Sequence, residues 1–182
     1  MPMHVRLDIH THVGEMFGFQ PPTPEIAESV IAQIKKAGLD GIAVTDHWRR
    51  DWGLALHRVV EDHFPNEVII IPGHEIDVRP PSSPFDEYHC TELYLPGGRL
   101  FRTYCHPGYY TPNIVIEDDI HGIEVANHHH DWHIRRPAVE RVADAHGLLT
   151  FSVSDANVLG EIGAGSTLVD LDDMFRRAIP LD

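Results

Sequence analysis

Apolar and polar side chains alternate from Val5 to His10, the pattern of a half-buried strand. Thr23-Pro24-Glu25 opens a helix, with a Thr cap, Pro in the first turn and an acid near the positive end. Ile26, Val30, Ile31, Ile34 and Ala37 form its apolar stripe, Lys35 and Lys36 fall in its last turn, and Gly38 stops it. A second strand is predicted over 41–45, and Leu56, Val59, Val60 and His63 predict a second helix ending near Phe64-Pro65. The unbroken apolar run 68–71 predicts a third strand buried on both faces. Later strands are predicted over 90–95, 100–105, 122–126 and 148–153, and helices over 134–145 and 171–179. Alternating β and α elements favour a parallel sheet or barrel over a sandwich.

Composition narrows the partners. The 182 residues suit one domain, expected to span 1–182. Fourteen Lys and Arg against 28 Asp and Glu give a formal charge of −14, which excludes general nucleic-acid binding and docking on anionic membranes. No apolar run approaches a spanning helix, and Met1-Pro2-Met3-His4 lacks the charged head of a signal peptide, so a cytoplasmic location is the expectation. Two cysteines, Cys90 and Cys105, make neither a disulfide framework nor a Cys-x-x-Cys metal knuckle; buried thiols are the simplest use. The unusual count is histidine, at 15. Histidines beside many carboxylates are the raw material of metal sites.

On this skeleton the candidate ligands collect at strand ends. Asp8-Ile9-His10-Thr11-His12 ends the first strand, and residues two apart on a strand share a side, so His10 and His12 can grip one cation. Thr45-Asp46-His47 ends the second, and Gly73-His74-Glu75 follows the third. His89 opens the next strand, Cys105-His106-Pro107-Gly108 closes the one after it, and Ser154-Asp155-Ala156-Asn157 ends the last. One His-x-His alone is weak; six strand ends agreeing is strong, because the carboxyl ends of strands are where α/β barrels assemble active sites.

These motifs, with Gly122-Ile123-Glu124, resemble the polymerase and histidinol phosphatase (PHP) family of metal-dependent phosphoesterases over nearly the whole chain. The resemblance implies an α/β fold, a distorted, TIM-like (β/α)7 barrel with two or three divalent transition-metal ions (Zn, Mn or Fe) at one mouth. It implies one metal on His10, His12, Glu75 and Asp155, and a second that shares Glu75 and adds His89 and His106. A carboxylate can bridge two cations through its two oxygens while imidazoles fill each shell. For a third metal, the family uses a residue beyond the His-x-His, the His of Thr-Asp-His and a His two places past the final Asp. Here those places fall to Glu15 at a shorter spacing, His47 and Asn157. An amide oxygen binds weakly and suits hard cations, so weak occupancy is expected there.

The implied activity is hydrolysis of a phosphate ester by a metal-activated water, on a small soluble phosphomonoester. His47 is the candidate acid for the leaving oxygen. Asp46 beside it is the second catalytic candidate, expected, like Asp8, to orient an imidazole. The competing readings are another metal-dependent hydrolysis, such as of an amide, and a non-catalytic interaction module. A carbamylated lysine bridge is not expected, since the only lysines, Lys35 and Lys36, lie on a helix. A module would be expected to have lost ligands of the two main sites, and this chain keeps all six. His128-His129-His130-Asp131-Trp132-His133 reads as a solvated loop, because adjacent side chains diverge. His57 and His63 read as surface residues, His74 as a packing residue, and Glu124 as either structural or pocket-lining. Arg49, Arg50, Arg79 and Arg102 lie near strand ends as candidate phosphate contacts, and the sequence does not choose among them.

Overall fold

A computed structural model describes residues 3–181. The elements run β1 (His4–Thr11), α1 (Val13–Met16), α2 (Pro24–Lys36), β2 (Gly41–Val44), α3 (Arg50–His63), β3 (Ile69–Val78), β4 (Tyr88–Leu95), β5 (Arg99–Tyr104), β6 (Gly122–Asn127), α4 (Arg136–His146), β7 (Leu149–Val153), β8 (Thr167–Asp170), α5 (Leu171–Arg177) and β9 (Ile179–Pro180). Eight strands follow one another in the order β7-β6-β5-β4-β3-β2-β1-β8, and β9 pairs with β5 off this path. The class is mixed α/β, with a nearly closed sheet. β1 closes it in two stages. Its first half pairs antiparallel with β8, while at its far end Asp155 N–H donates to the His10 carbonyl and His12 N–H to the Ala156 carbonyl, both at 2.9 Å.

The strict alternation of strand and helix is not kept. β3, β4 and β5 are joined directly and pair antiparallel, with no helix between them. β3 is also much longer than the apolar run 68–71 suggested. Ile69–Pro72 pairs parallel with β2, and Gly73–Val78 then pairs antiparallel with β4, so Pro72-Gly73 marks a change of partner rather than an end. Gly73 is required there: a Cβ would stand 2.5 Å from the Glu92 carbonyl oxygen. As a result Glu75 lies inside a strand, braced from both sides. The short strands β8 and β9 and the helix α1 were not legible in the hydropathy pattern.

Leu7, Ile9, Ala43, Leu93, Phe101, Phe151, Val153 and Val169 fill the interior. Each such burial except that of Ala43 contributes about 1.5–3 kcal/mol. A second cluster, including Ile34, Ile42, Leu56 and Val60, packs α2 and α3 on the outside of β2. Thr23 caps α2 through its hydroxyl on Ile26 N–H, as the Thr-Pro start predicted. β1 is more than half-buried: from Leu7 onward both faces are covered, because the polar face points into the mouth of the sheet. Cys90 and Cys105 are buried free thiols. Among the described residues no helix is long and apolar enough to cross a membrane.

Candidate metal centre

His10, His12, Glu75, His89, His106 and Asp155 converge at the mouth, none more than 9% exposed. Their placement follows from strand geometry. His10 and His12 flank Thr11, whose hydroxyl is spent on the Ala43 carbonyl on the other side. Glu75 reaches the same space from β3, His89 from β4, and His106 and Asp155 from the turns that end β5 and β7.

The donor atoms form two sets around Glu75. Oε2 lies 3.2 Å from His10 Nε2 and 3.4 Å from His12 Nε2, and Asp155 Oδ1 lies 3.4 and 2.9 Å from the same two nitrogens. A tetrahedron with metal–ligand bonds near 2.0–2.1 Å has edges of about 3.3 Å, which these four separations approach, and His10, His12 and Asp155 form one group that could hold an ion. Oε1 faces the other way, 2.7 Å from His89 Nδ1 and 3.2 Å from His106 Nε2. His89 Nδ1 is buried and, despite that proximity, has no hydrogen-bond geometry to any partner. A buried nitrogen close to a carboxylate oxygen but off hydrogen-bond geometry is an arrangement that co-ligands of one ion present. The donor chemistry therefore suits metal, and several His/Glu/Asp groups here can hold it, among them His10–His12–Asp155 and Glu75–His89–His106.

Charge in this space is balanced by imidazoles alone; no Lys or Arg lines the pocket. Burial opposes charge on His10, yet Asp155, Glu124 and Glu75 together raise its pKa well above the ordinary value. Burial likewise works against ionisation of Glu75 and Asp155, but His10 and its neighbours hold both well below the carboxylate range. Backbone strain gathers here as well. Of the five non-glycine residues with positive φ among the described residues, His106 (25°) and Asp155 (55°) are candidate ligands and Trp48 (57°) follows His47. Such conformations cost about 1–2 kcal/mol each and persist where surrounding contacts over-determine them.

At the rim, His47 Nε2 is 3.0 Å from Glu75 Oε2 and His47 Nδ1 is 2.6 Å from Glu15 Oε1. The bond to Glu75, reinforced by Glu15, pushes the His47 pKa up to about 9. Contact with His12 and His47 holds Glu15 down at about 2. His12, Glu15 and His47 thus make a third possible ligand group. Asn157 lines the pocket, but it is exposed and its amide donates to the Asp155 carbonyl at 3.3 Å.

Some expected roles fall to other residues. Asp46 turns away from the imidazoles: its two oxygens accept the N–H groups of Gly14 and Glu15, each at 2.9 Å, capping α1. Asp8 likewise accepts from Ser154 and Gly163 N–H. Burial pushes the pKa of each up to about 6. The far nitrogens of two candidate ligands meet other carboxylates: Glu124 accepts from His10 Nδ1 at 2.6 Å, and Asp77 lies 2.8 Å from His89 Nε2. Asp77 shares the Glu75 side of β3, a placement legible only once β3 runs past Pro72. Asp46→Ala is accordingly expected to lower stability by about 1 kcal/mol in thermal melting, as a lost cap does. A thousandfold activity loss with unchanged melting would instead restore a catalytic role.

The 128–133 segment does follow β6 as a turn, but it is not wholly solvated. Asn127 Oδ1 accepts from His129 and His130 N–H, which turns His130 inward. Its Nε2 lies 3.5 Å from Asp155 Oδ2 and its ring 4.4 Å from that of His106. Burial, then the proximity of His106, depresses its pKa to about 4. Nothing in the local sequence separates His130 from its neighbours; the Asn127 side chain makes the choice. None of Arg49, Arg50, Arg79 or Arg102 lines the pocket. They bond to Asp51, to Tyr94, to Glu87, and to Glu92 with Asp119. His74 bonds Glu92, a packing role as expected.

No family model matches the chain, and no curated protein matches it. Solved structures share the fold. PsfC from Pseudomonas syringae PB-5123 superposes with a TM-score of 0.63 at 16% identity, over 94% of this chain and 88% of that one. An amidohydrolase from Chromobacterium violaceum, solved with sulfate and no metal, superposes with a TM-score of 0.62 at 14% identity, over 96% of this chain and 97% of that one.

Proposed function

We propose that this chain is a single-domain, cytoplasmic, metal-dependent phosphoesterase of the PHP type, its sheet a distorted (β/α)7 ring with β8 wedged beside β1, acting on a small soluble phosphomonoester. The observation that carries it is the division of the Glu75 oxygens between two histidine sets. His10, His12, Glu75 and Asp155 would hold one divalent transition-metal ion and Glu75, His89 and His106 a second. Bound there, two cations supply Lewis acidity for phosphoryl oxygens and lower the pKa of water towards about 7. The chain's own residues do the rest. His47 stands half-exposed at the rim with Glu75 and Glu15 on its two nitrogens, placed to hand a proton to a leaving oxygen. His130 and Asn157 also line this pocket, where a substrate oxygen would lie. The carboxylates keep the imidazoles turned inward.

The amidohydrolase neighbour favours one other reading, hydrolysis of an amide on the same centre. Lys35 pairs with Glu67 at the end of α2, so no lysine bridge is available to that chemistry. Side-by-side assay of sugar phosphates, nucleotides, a phosphodiester and amides, with manganese or zinc added, separates the two. Turnover confined to amides would overturn the phosphoesterase reading.

The third position gives a further expected result. Asn157→His should place an imidazole beside His47 and raise metal content by one equivalent, or hold that equivalent against milder chelation. Elemental analysis of variant and parent decides it. A parent that already holds three would mean that Glu15, His12 and His47 suffice.

A further inference from the structure

We propose that His106, His130 and Asp155 form a weak zinc site of their own, filled only when zinc is in excess, and that an ion held there blocks the pocket; this rests on the two-ion phosphoesterase reading above. The three side chains are a donor group distinct from His10–His12–Asp155 and Glu75–His89–His106. A ring nitrogen of each histidine and one Asp155 oxygen lie within 4.8 Å of one another. His130 is the member that no ligand expectation from the sequence included.

The arrangement turns on Asp155, whose two oxygens serve different partners. Oδ1 stands 2.9 Å from His12 Nε2 and 3.4 Å from His10 Nε2. Oδ2 stands 3.5 Å from His130 Nε2, close to the edge of about 3.3 Å that two ligands of one zinc ion span. Asn127 Nδ2 donates to Oδ2 at 3.1 Å, which occupies one lone pair and leaves the other. The same side chain, fully buried, accepts the N–H groups of His129 and His130 at 3.0 and 3.1 Å. One amide thus places both ligands before any ion arrives. His130 Nδ1 is buried without a hydrogen-bond partner among the described residues, so Nε2 is the nitrogen turned to the pocket. His106 supplies the third donor, its ring 4.4 Å from that of His130.

Affinity and metal choice follow from this sharing. His106 and Asp155 already serve the tight pair, so a third dication draws on donors in use and meets the repulsion of two neighbours. It binds far more weakly than they do. Two imidazoles and one carboxylate favour zinc over manganese, which stands lower in the order of divalent affinities. His130 is half-buried and no Lys or Arg lines the pocket, so the ion enters from solvent and meets no cationic side chain of that kind. Once bound it stands beside Tyr109 and Asn157, in the space that the reading above gives to a substrate oxygen.

The test adds zinc in rising amounts to protein carrying its two tight equivalents and reads bound metal by equilibrium dialysis. The parent is expected to take up one further zinc at about 100-fold higher free concentration, and no further manganese over the same range. His130→Ala should lose that equivalent and retain the two tight ones. His130→Gln fills more of the space and replaces it if circular dichroism shows that the alanine variant does not fold. Glu15→Gln should keep the equivalent, because it alters only the His12–Glu15–His47 group. For turnover, each protein is compared with itself at low and high zinc. The parent's rate on a phosphate ester should fall about tenfold as the site fills, and the rate of the His130 variant should hold. No further equivalent in the parent, or one that survives loss of His130, overturns the site. An equivalent lost with His130 but without effect on the parent's rate keeps the site and overturns the blockade. The same loss in a protein that turns over no phosphate ester keeps the site and removes the phosphoesterase reading.

Discussion

Glu75→Gln is expected to weaken both halves of the centre at once, whereas His47→Ala keeps both. The glutamine occupies the same volume, so the fold is retained and the effect is chemical. In the native chain Oε2 stands against His10 and His12, and Oε1 against His89 and His106. An amide presents only one oxygen and turns an N–H₂ towards one of these sets. The nitrogens on that side lose their shared anion, and the remaining set loses the charge that draws a cation. Losing a group that merely orients a ligand costs about 10–100-fold in metal affinity, and losing the shared ligand should exceed that. Elemental analysis after dialysis against added zinc or manganese should find at most one equivalent in Glu75→Gln and about two in His47→Ala. Phosphatase activity, if present in the parent, should fall below detection in Glu75→Gln. Equal metal loss in the two variants would count against a bridging role.

Much of this centre was legible because strand periodicity carries chemistry. His10 and His12 share a side by the rule of two, and β1, β2, β5 and β7 are each followed within three residues by one able to bind metal. Other parts depended on contacts between distant segments. Pro72-Gly73 reads as a terminator, yet β3 continues because its partner changes from β2 to β4, and only that continuation puts Asp77 beside His89. Asp46 sits next to His47 in the chain, but the N–H groups at the start of α1 compete for its oxygens and win. His130 was hidden among neighbours of identical composition; a long-range arrangement of Asn127, Glu124 and Asp155 selects it. The missing helices over β4 and β5 follow from chain economy, since antiparallel strands need only short turns and no crossover.

Glu124 is the residue on which stability and metal binding should fail together. It is fully buried and makes three hydrogen bonds. Oε1 accepts from His10 Nδ1 at 2.6 Å, and Oε2 accepts from His106 N–H at 2.7 Å and from Asn127 Nδ2 at 2.9 Å. Asn127 in turn donates to Asp155 Oδ2 at 3.1 Å, so one carboxylate ties β1, the turn after β5 and the end of β7 into one frame. The bond to His10 Nδ1 also fixes the tautomer that leaves Nε2 free to face Glu75. Glu124→Ala strands three buried donors and opens a cavity. Removing one partner of a buried ionic group typically costs about 3–5 kcal/mol, and urea unfolding of the metal-free protein should show a loss of that size. In Glu124→Gln the cavity is filled, but one N–H must face another, so a loss of about 1–3 kcal/mol is expected. Metal affinity should drop about 10–100-fold in the glutamine variant even at temperatures where it is fully folded, because His10 is no longer held in one tautomer. Competition with a chelator of known affinity measures this directly. A glutamine variant that is destabilised yet binds metal as tightly as the parent would reduce Glu124 to a structural tie and leave the His10 orientation to Glu75 and Asp155 alone.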